Sequence, residues 1–418
     1  MTLAKQFFTR FRISVQLLPT RPGIRLSAGK VIGGIFSAFW LIVLVREIDK
    51  SEFATVVLVL AFSSLTSVLH DGGQLVLLAK VVAIHPDIAD ELSSLVLRRR
   101  LALAILALVF VTIAFSAVTE ASIWVVLLVW PSVLATVGYS TIFTVLRVNG
   151  AVDLEAKNEL FSRLALITLG LIMIYWGLSA NRVIGIYSAV DVLSLVIVYR
   201  KHGKSLATKP GLLARRYARE ELHWRVSAMI SITGAVGLLF AKIDPIFVSA
   251  LRSDEDVATF SIGIRFVEFL IVPVGTLIIL KISNFARSNS LTEVFKTVKV
   301  VIAYALAALV ILQIVASLLP VVFGLSYTDA VAPMRILAFS VLPMSVGSVF
   351  IAWLTLKQPN RALISLAIGL SCNVVAHILV TSKFGATGAA CVNLMANSIM
   401  ASVAFMFFRR LNQKISAN

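Results

Sequence analysis

The run VVIAYALAALVILQIVASLL, residues 300–319, has no charged side chain in twenty positions. Wound as an α-helix at 1.5 Å per residue it measures ~30 Å, the thickness of a bilayer's hydrocarbon core. Apolar runs of this length are read as membrane spans, whereas buried helices of soluble domains are shorter. Similar runs recur along the chain. Twelve spans can be placed, at 27–45, 53–70, 101–119, 122–145, 160–179, 183–199, 225–249, 257–280, 298–319, 331–355, 361–380 and 386–408. Asp71-Gly72-Gly73 either ends the second of them or unwinds it.

Composition agrees. Of the 418 residues, 59% are hydrophobic and 14% charged, with mean hydropathy +0.95. Soluble domains carry about 25% charged residues, and a fold in water could not cover so much apolar surface. The expected class is all-α, a polytopic membrane protein of about twelve helices. Cys372 and Cys391 lie in apolar stretches without metal-ligand spacing and read as small hydrophobes.

The formal net charge is +17. In a soluble protein that excess would point to nucleic acid. In a membrane protein Lys and Arg collect in cytoplasmic loops, so no nucleic-acid partner is expected. The partition puts 29 of the 38 cations on the side of the termini and the even-numbered loops, among them Arg98, Arg99, Arg100 and Arg163. Six fall opposite, and Lys30, Lys242 and Arg265 fall inside spans. The positive-inside rule then predicts both termini in the cytoplasm. An odd number of spans would erase the asymmetry.

The longest loop divides the chain. The expected organisation is a basic cytoplasmic segment at 1–26, a first lobe of spans 1–6 at 27–199, a basic interlobe loop at 200–224, a second lobe of spans 7–12 at 225–408, and a cytoplasmic tail at 409–418. Arg25-Leu26-Ser27-Ala28 opens the first lobe and Arg225-Val226-Ser227-Ala228 the second. The agreement in topological position points to duplication, with both lobes in one orientation. Transporters use paired lobes of this kind to alternate access to a central site.

No hydrolytic triad, Walker loop, Rossmann fingerprint or metal-ligand cluster occurs in the sequence. The chain is therefore not expected to be an enzyme or to need a cofactor. The informative residues are charges inside spans, each costing about 2.5–3.5 kcal/mol or more at the bilayer centre. Arg265 and Glu268 stand at i and i+3 in the eighth span, on one helix face. They read either as a cavity cation with a titrating carboxylate or as a structural ion pair. Lys30 either reaches a cavity as a phosphate ligand or snorkels to the interface. Lys242 and Asp244 read as a local polar patch in the seventh span. Asp191, in the sixth, lacks a sequence-local partner and is a candidate proton or sodium site, as are Glu268 and Asp244. Asn373 and His377, and Asn393 and Asn397, are spaced by four; they read as interhelical hydrogen bonding or as cavity lining. Gly29, Gly33 and Ser37 form a small-residue row suited to close helix contact.

The second half also carries a resemblance. Lys242-Ile243-Asp244-Pro245-Ile246, followed by Asp256-Val257-Ala258-Thr259-Phe260-Ser261-Ile262-Gly263, resembles the junction of spans seven and eight in bacterial polysaccharide flippases. Phe323-Gly324-Leu325-Ser326-Tyr327-Thr328-Asp329-Ala330, with Arg335-Ile336-Leu337-Ala338, is similar to the family's FG-x-x-Y-x-x-A loop and I-L-A run. Phe384-Gly385-Ala386-Thr387-Gly388-Ala389-Ala390 is similar to its YG-x-x-GAA turn. Phe260 and Phe384 stand where tyrosine is usual. The family belongs to the superfamily of multidrug, oligosaccharidyl-lipid and polysaccharide exporters, so the resemblance implies two six-helix lobes of that flippase-like fold. It implies a flippase moving undecaprenyl-diphosphate-linked repeat units of O-antigen, capsule or exopolysaccharide, with Arg265 and Lys30 as substrate ligands and a proton or sodium ion as coupling ion. Its expected partners are the lipid-linked oligosaccharide, membrane lipids, and the polymerase and export proteins of the same synthesis.

Three other readings compete. A drug or cation antiporter of the same superfamily needs an acidic cavity, whereas Arg265 lies mid-membrane. A lipid II flippase usually carries further spans or more arginines in its first lobe. A membrane polymerase or acyltransferase would carry a large outer loop or an interfacial His-Asp pair, and the sequence has neither.

Overall fold

A peptide group in hydrocarbon has no water to bond, so a crossing segment must satisfy its own N–H and C=O groups. The computed structural model of the protein describes residues 21–71, 74–118, 122–203, 208–220, 224–287 and 291–416; these form helices and turns, with no strand among them. The first half runs α1 (Arg21–Glu47), α2 (Lys50–Asp71), a short α3 (Gln74–Ile84), α4 (Ala89–Val118), α5 (Ile123–Leu127) leading into α6 (Trp130–Val148), α7 (Asp153–Ile174) and α8 (Ala180–His202). A short α9 (Leu212–Glu220) follows. The second half runs α10 (Trp224–Lys242), α11 (Asp244–Leu251), α12 (Asp254–Arg287), α13 (Leu291–Phe323), α14 (Val331–Lys357), α15 (Pro359–Ala376) and α16 (Ser382–Ser416).

By length and composition, eight of the described stretches can cross a membrane, and the pair α10–α11, bent by 49°, makes a ninth. One of the eight, Pro359–Leu411, holds α15 and most of α16, which pack against each other as a hairpin. Counted separately, and with α1 and α7, they give the twelve crossings expected. Whether Asp71-Gly72-Gly73 ends or unwinds the second span turns on Gly72 and Gly73, which lie outside the described residues; Asp71 Oδ1 accepts the Leu75 N–H at 3.4 Å.

Some boundaries differ from expectation. Helix α1 already begins at Arg21, inside the segment read as a cytoplasmic arm; residues 1–20 lie outside the described residues. Helix α4 starts at Ala89 and α7 at Asp153, well before the spans expected at 101 and 160. Arg100, counted as a loop residue, is thereby drawn into the bundle, and Arg163, counted with the cytoplasmic cations although it falls within the span expected at 160–179, lies two to three turns inside its helix, α7. Arg100 is buried in the first half, its Nη1 donating to Thr141 Oγ1 at 2.7 Å, Ser140 Oγ at 3.1 Å and the Val137 carbonyl at 3.2 Å.

Alternating spans give the bundle a basic end, with Arg98, Arg200, Lys357, Arg361 and Arg409, and an opposite end, with the turns at 48–49, 252–253 and 324–330. Within the first half α1 packs on α7, and the small-residue row explains how. A Cβ at Gly29 would lie 3.3 Å from Ala156 Cβ, and one at Gly33 would lie 3.2 Å from Glu159 Cγ. In the second half α14 packs against α12, α13 and α16, while α10 packs on α15.

The halves meet through α1 and α2 on one side and α10 and α12 on the other. At the opposite end they are sealed. Trp40, Leu44, Phe53 and Val57 share one buried apolar cluster with Val257, Phe260, Phe323 and Tyr327. Polar contacts rim the seal. Arg46 Nε donates to the Val322 carbonyl at 2.5 Å, one of the last-turn carbonyls of α13 that no helical N–H satisfies. Lys50 pairs with Glu255 and lies over the Tyr327 ring, 5.2 Å from its centroid.

The turn into α16 depends on Gly385, whose φ of +55° suits only glycine. A Cβ there would lie 2.3 Å from Asp256 Oδ1, the atom that accepts the Ala386 N–H at 2.9 Å. Gly385→Ala should therefore destabilise the protein by roughly 1–3 kcal/mol, read as a lower thermal midpoint of the detergent-solubilised chain. An unchanged midpoint would contradict this account of the turn.

Candidate functional site

Between the halves lies a cavity of about 670 Å³. The first half contributes most of its wall, from α1, α2, α6, α7 and α8; the second contributes α10 and α12. Leu44 and Phe53 close it under the seal, and it runs toward the basic end as far as Lys30 and His70. Ser63, Ser67 and His70 recur at helical spacing on α2 and wet one side. Trp40, Phe53, Tyr187, Phe266 and Phe269 supply aromatic surface.

The charges on the wall come in sets. On α12 Arg265 Nη1 donates to Glu268 Oε2 at 3.2 Å, the i, i+3 pair expected. Lys242 Nζ, from the end of α10, donates to Glu268 Oε1 at 2.5 Å. One carboxylate thus lies between two cations, in the wall of the cavity. Across it, on α7, Arg163 Nε donates to Glu159 Oε1 at 3.0 Å. Tyr187 of α8 lines the same cavity, and Arg163 and Arg265 line it from opposite halves. Lys30 lines the wall nearer the basic end. Three cations, Lys30, Arg163 and Arg265, line the cavity with two carboxylates, Glu159 and Glu268, and Lys242 pairs with Glu268 without lining it, so the site carries an excess of positive charge. Charges in a low-dielectric cleft act over longer range than in water. The arrangement can hold an anion.

Lys242 and Asp244 do not form a shared patch. Pro245 breaks the helix between α10 and α11, and the two side chains part there. Asp244 is buried inside the second half and accepts from Asn373 Nδ2 at 2.8 Å and Asn393 Nδ2 at 2.6 Å, with His377 Nε2 at 3.1 Å. Asn397 Nδ2 in turn donates to the Asn393 carbonyl at 2.8 Å. His377 Nδ1 is 2.8 Å from Thr381 Oγ1, and its ring stacks on Phe247 at 5.2 Å. His377–Thr381 forms a π-helical turn at the end of α15. None of these residues lines the cavity. Asn373, Asn393 and His377 are interhelical ligands of one buried carboxylate, and Asn397 supports Asn393 from the next turn of the same helix. Asp191 lies behind the first-half wall, held by Ser132 Oγ and by Tyr139 OH at 3.3 Å. Arg163 and Tyr187 were missed as site residues; the acidic first turn of α7, Asp153 and Glu155, was the sequence signal that this helix begins early. Among the described residues no group of three or more His, Cys, Asp or Glu side chains could hold a metal ion.

This architecture matches known transporters. The family model for polysaccharide biosynthesis proteins matches residues 21–280, and the chain belongs to that family. No curated protein gives a significant match. Among solved structures, the lipid II flippase MurJ in an inward closed conformation superposes with a TM-score of 0.73 at 16% identity, over 92% of this chain and 87% of that one. A MATE transporter in complex with MaL6 gives 0.70 at 16% identity, over 97% and 99%. A transporter of the MOP superfamily from Pyrococcus furiosus, described as having a binding pocket of reverse polarity, gives 0.68 at 18% identity, over 96% and 98%. The protein is thus a multi-pass membrane protein with the fold of these flippases and exporters.

The cavity geometry has a direct check. In a background with Cys372 and Cys391 replaced by alanine, Ser67→Cys should react with a membrane-impermeant maleimide added on the basic face, and Val257→Cys in the seal should not. Equal labelling of Ser67→Cys from both faces would contradict a cavity closed at the opposite end.

Proposed function

We propose that the protein flips undecaprenyl-diphosphate-linked oligosaccharide repeat units across the bacterial inner membrane, for O-antigen, capsule or exopolysaccharide synthesis. The observation that carries this reading is the cation excess in the cavity, with Arg265 and Arg163 lining it from opposite halves. Sugar hydroxyls and a diphosphate cannot enter hydrocarbon without losing their hydrogen bonds. A wet, positive cleft between the lobes supplies replacements, and the polyprenyl chain stays in the bilayer alongside. By the positive-inside rule the basic end faces the cytoplasm, so the cavity receives substrate from the inner leaflet. Arg265, Arg163 and Lys30 hold the anionic headgroup, and the aromatic surfaces of Tyr187 and Phe269 lie against sugar. Rocking of the lobes breaks the seal and releases the headgroup outward. The polymerase and export proteins of the same synthesis are the partners on that side.

Coupling is assigned to Asp244 rather than Glu268 or Asp191. Glu268 is clasped by two cations, and taking up an ion there would break both pairs. Asp191 is held by hydroxyls beside Arg163. Asp244 is held by two asparagine amides and an imidazole, so a proton or sodium ion can enter without displacing a fixed cation. The membrane potential adds about 2.3 kcal/mol per charge per 100 mV.

Cation export by the same fold would require an acidic cavity, opposite to the charge found here. In cells, Arg265→Ala should cut repeat-unit export at least roughly tenfold, the cost of ~1.4 kcal/mol of lost headgroup binding. Protein abundance in the membrane should stay normal and repeat units should accumulate on the inner leaflet. A fully active Arg265→Ala would remove that residue from the site. Asp244→Asn should bind substrate normally yet lose the response of vesicle uptake to an imposed proton or sodium gradient; an unaltered response would reassign coupling elsewhere.

A further inference from the structure

The polar groups on the cavity wall are sorted by helix. Every Lys, Arg, Asp and Glu there belongs to α1, α7 or α12. Helix α2 contributes hydroxyls and one imidazole, from Ser63, Ser64, Thr66, Ser67 and His70, and no fixed charge. Ser63, Ser67 and His70 stand at i, i+4 and i+7, so they share one face of the helix. Polar groups at membrane depth are costly unless something bonds them.

The hydrogen-bonding state of this row follows group by group. Ser64 Oγ donates to the Leu60 carbonyl at 2.8 Å and Ser67 Oγ to the Ser64 carbonyl at 2.7 Å. Both protons are spent within the helix, which leaves the lone pairs to accept. The Ser63 hydroxyl makes no hydrogen bond among the described residues, so it can donate as well as accept. His70 Nδ1 lies 3.5 Å from Arg100 Nη2. A guanidinium has donors and no acceptor, so the ring nitrogen facing it is the one without a proton, and Nε2 carries the proton. His70 is thereby a neutral donor through Nε2.

Arg100 is fixed from behind for this task. It is buried, and its Nη1 is taken up by Thr141, Ser140 and the Val137 carbonyl of α6, while Nε lies 3.5 Å from Asp71 Oδ1. The guanidinium is not part of the cavity wall, and it sets the ring from the rear.

This pattern of donors and acceptors selects a ligand. A phosphate oxygen only accepts, so it would meet the serine lone pairs with its own. A sugar hydroxyl both donates and accepts. Adjacent hydroxyls on one ring can give their protons to Ser64 and Ser67 while another accepts from His70 Nε2. We propose that the face of α2 bearing Ser63, Ser67 and His70 is the subsite for the uncharged sugar of the cargo, with Arg100 as the positioning residue that fixes the His70 ring. The proposal rests on the flippase reading and adds a division of labour, with phosphate on Arg265 and Arg163 and sugar hydroxyls on α2.

The test compares two lipids on the full chain in nanodiscs, undecaprenyl diphosphate and the lipid-linked oligosaccharide extracted from cells lacking the protein. Binding is read from lipid titrations by native mass spectrometry. His70→Ala and Ser63→Ala should each weaken binding of the glycosylated lipid roughly fivefold, the worth of one hydrogen bond, and leave undecaprenyl diphosphate unaffected. His70→Gln, which keeps an N–H near the Nε2 position, should retain the affinity, whereas His70→Asn should lose it; this pair tests the donor without touching Arg100. Arg100→Gln should cause the same selective loss alone and none further in the His70→Ala background. A further loss there would overturn the positioning role. Equal weakening of both lipids would put phosphate on α2, and unchanged binding of both would leave the row without a ligand; either overturns the subsite. Wild-type protein that binds neither lipid would overturn the flippase reading and the subsite together, whereas a loss confined to Arg265→Ala would keep that reading and remove the subsite.

Discussion

Lipid offers the backbone no hydrogen bonds, and that constraint shapes everything else in this protein. It forces the crossing segments into helices and makes each interruption costly, so interruptions are few and are filled. The break between α10 and α11 falls at Asp244-Pro245, where the proline has no N–H to lose. The π-helical turn at His377–Thr381 spends its spare geometry on ring and hydroxyl contacts around the same carboxylate. These two irregularities thus converge on one polar cluster, in keeping with the rule that irregular backbone inside a membrane is tolerated where protein surrounds it.

Charges obey the same economy in two ways. In the cavity wall they are paired yet wet, and one carboxylate is outnumbered by its cations. In the interior of the second half a single carboxylate is surrounded by neutral donors. The first arrangement keeps a standing positive field in a place substrate can reach. The second keeps a charge away from that place, held by groups that can reorient. The two arrangements lie apart in the fold, so each can be set without disturbing the other.

The fold was legible because hydropathy and the asymmetry of Lys and Arg are one-dimensional signals. What stayed hidden was the helix face that each charge occupies. Arg100 looks like a loop cation, and Arg163 like a cation of the cytoplasmic end, because they flank apolar runs, yet α4 and α7 begin early and turn them into the protein. Arg265–Glu268 was readable, being local on one helix, whereas the hold of Lys242 on Glu268 crosses two helices. Lys242 and Asp244 looked like one patch because sequence cannot convey a 49° bend between neighbours. The two asparagine-bearing pairs declared a shared face each, but not that both faces regard Asp244. Asp191 seemed isolated because Ser132 and Tyr139 come from a helix some fifty positions earlier.

The seal at the opposite end has a thermal consequence. The Lys50–Glu255 ion pair at its rim is worth little, of order 1 kcal/mol, so its strength resides in Trp40, Phe53, Phe260 and their neighbours. Parting the lobes there hydrates aromatic and aliphatic surface, and such hydration carries a positive heat capacity change. The enthalpy of opening must therefore grow with temperature, and an Arrhenius plot of turnover limited by that step should curve rather than run straight.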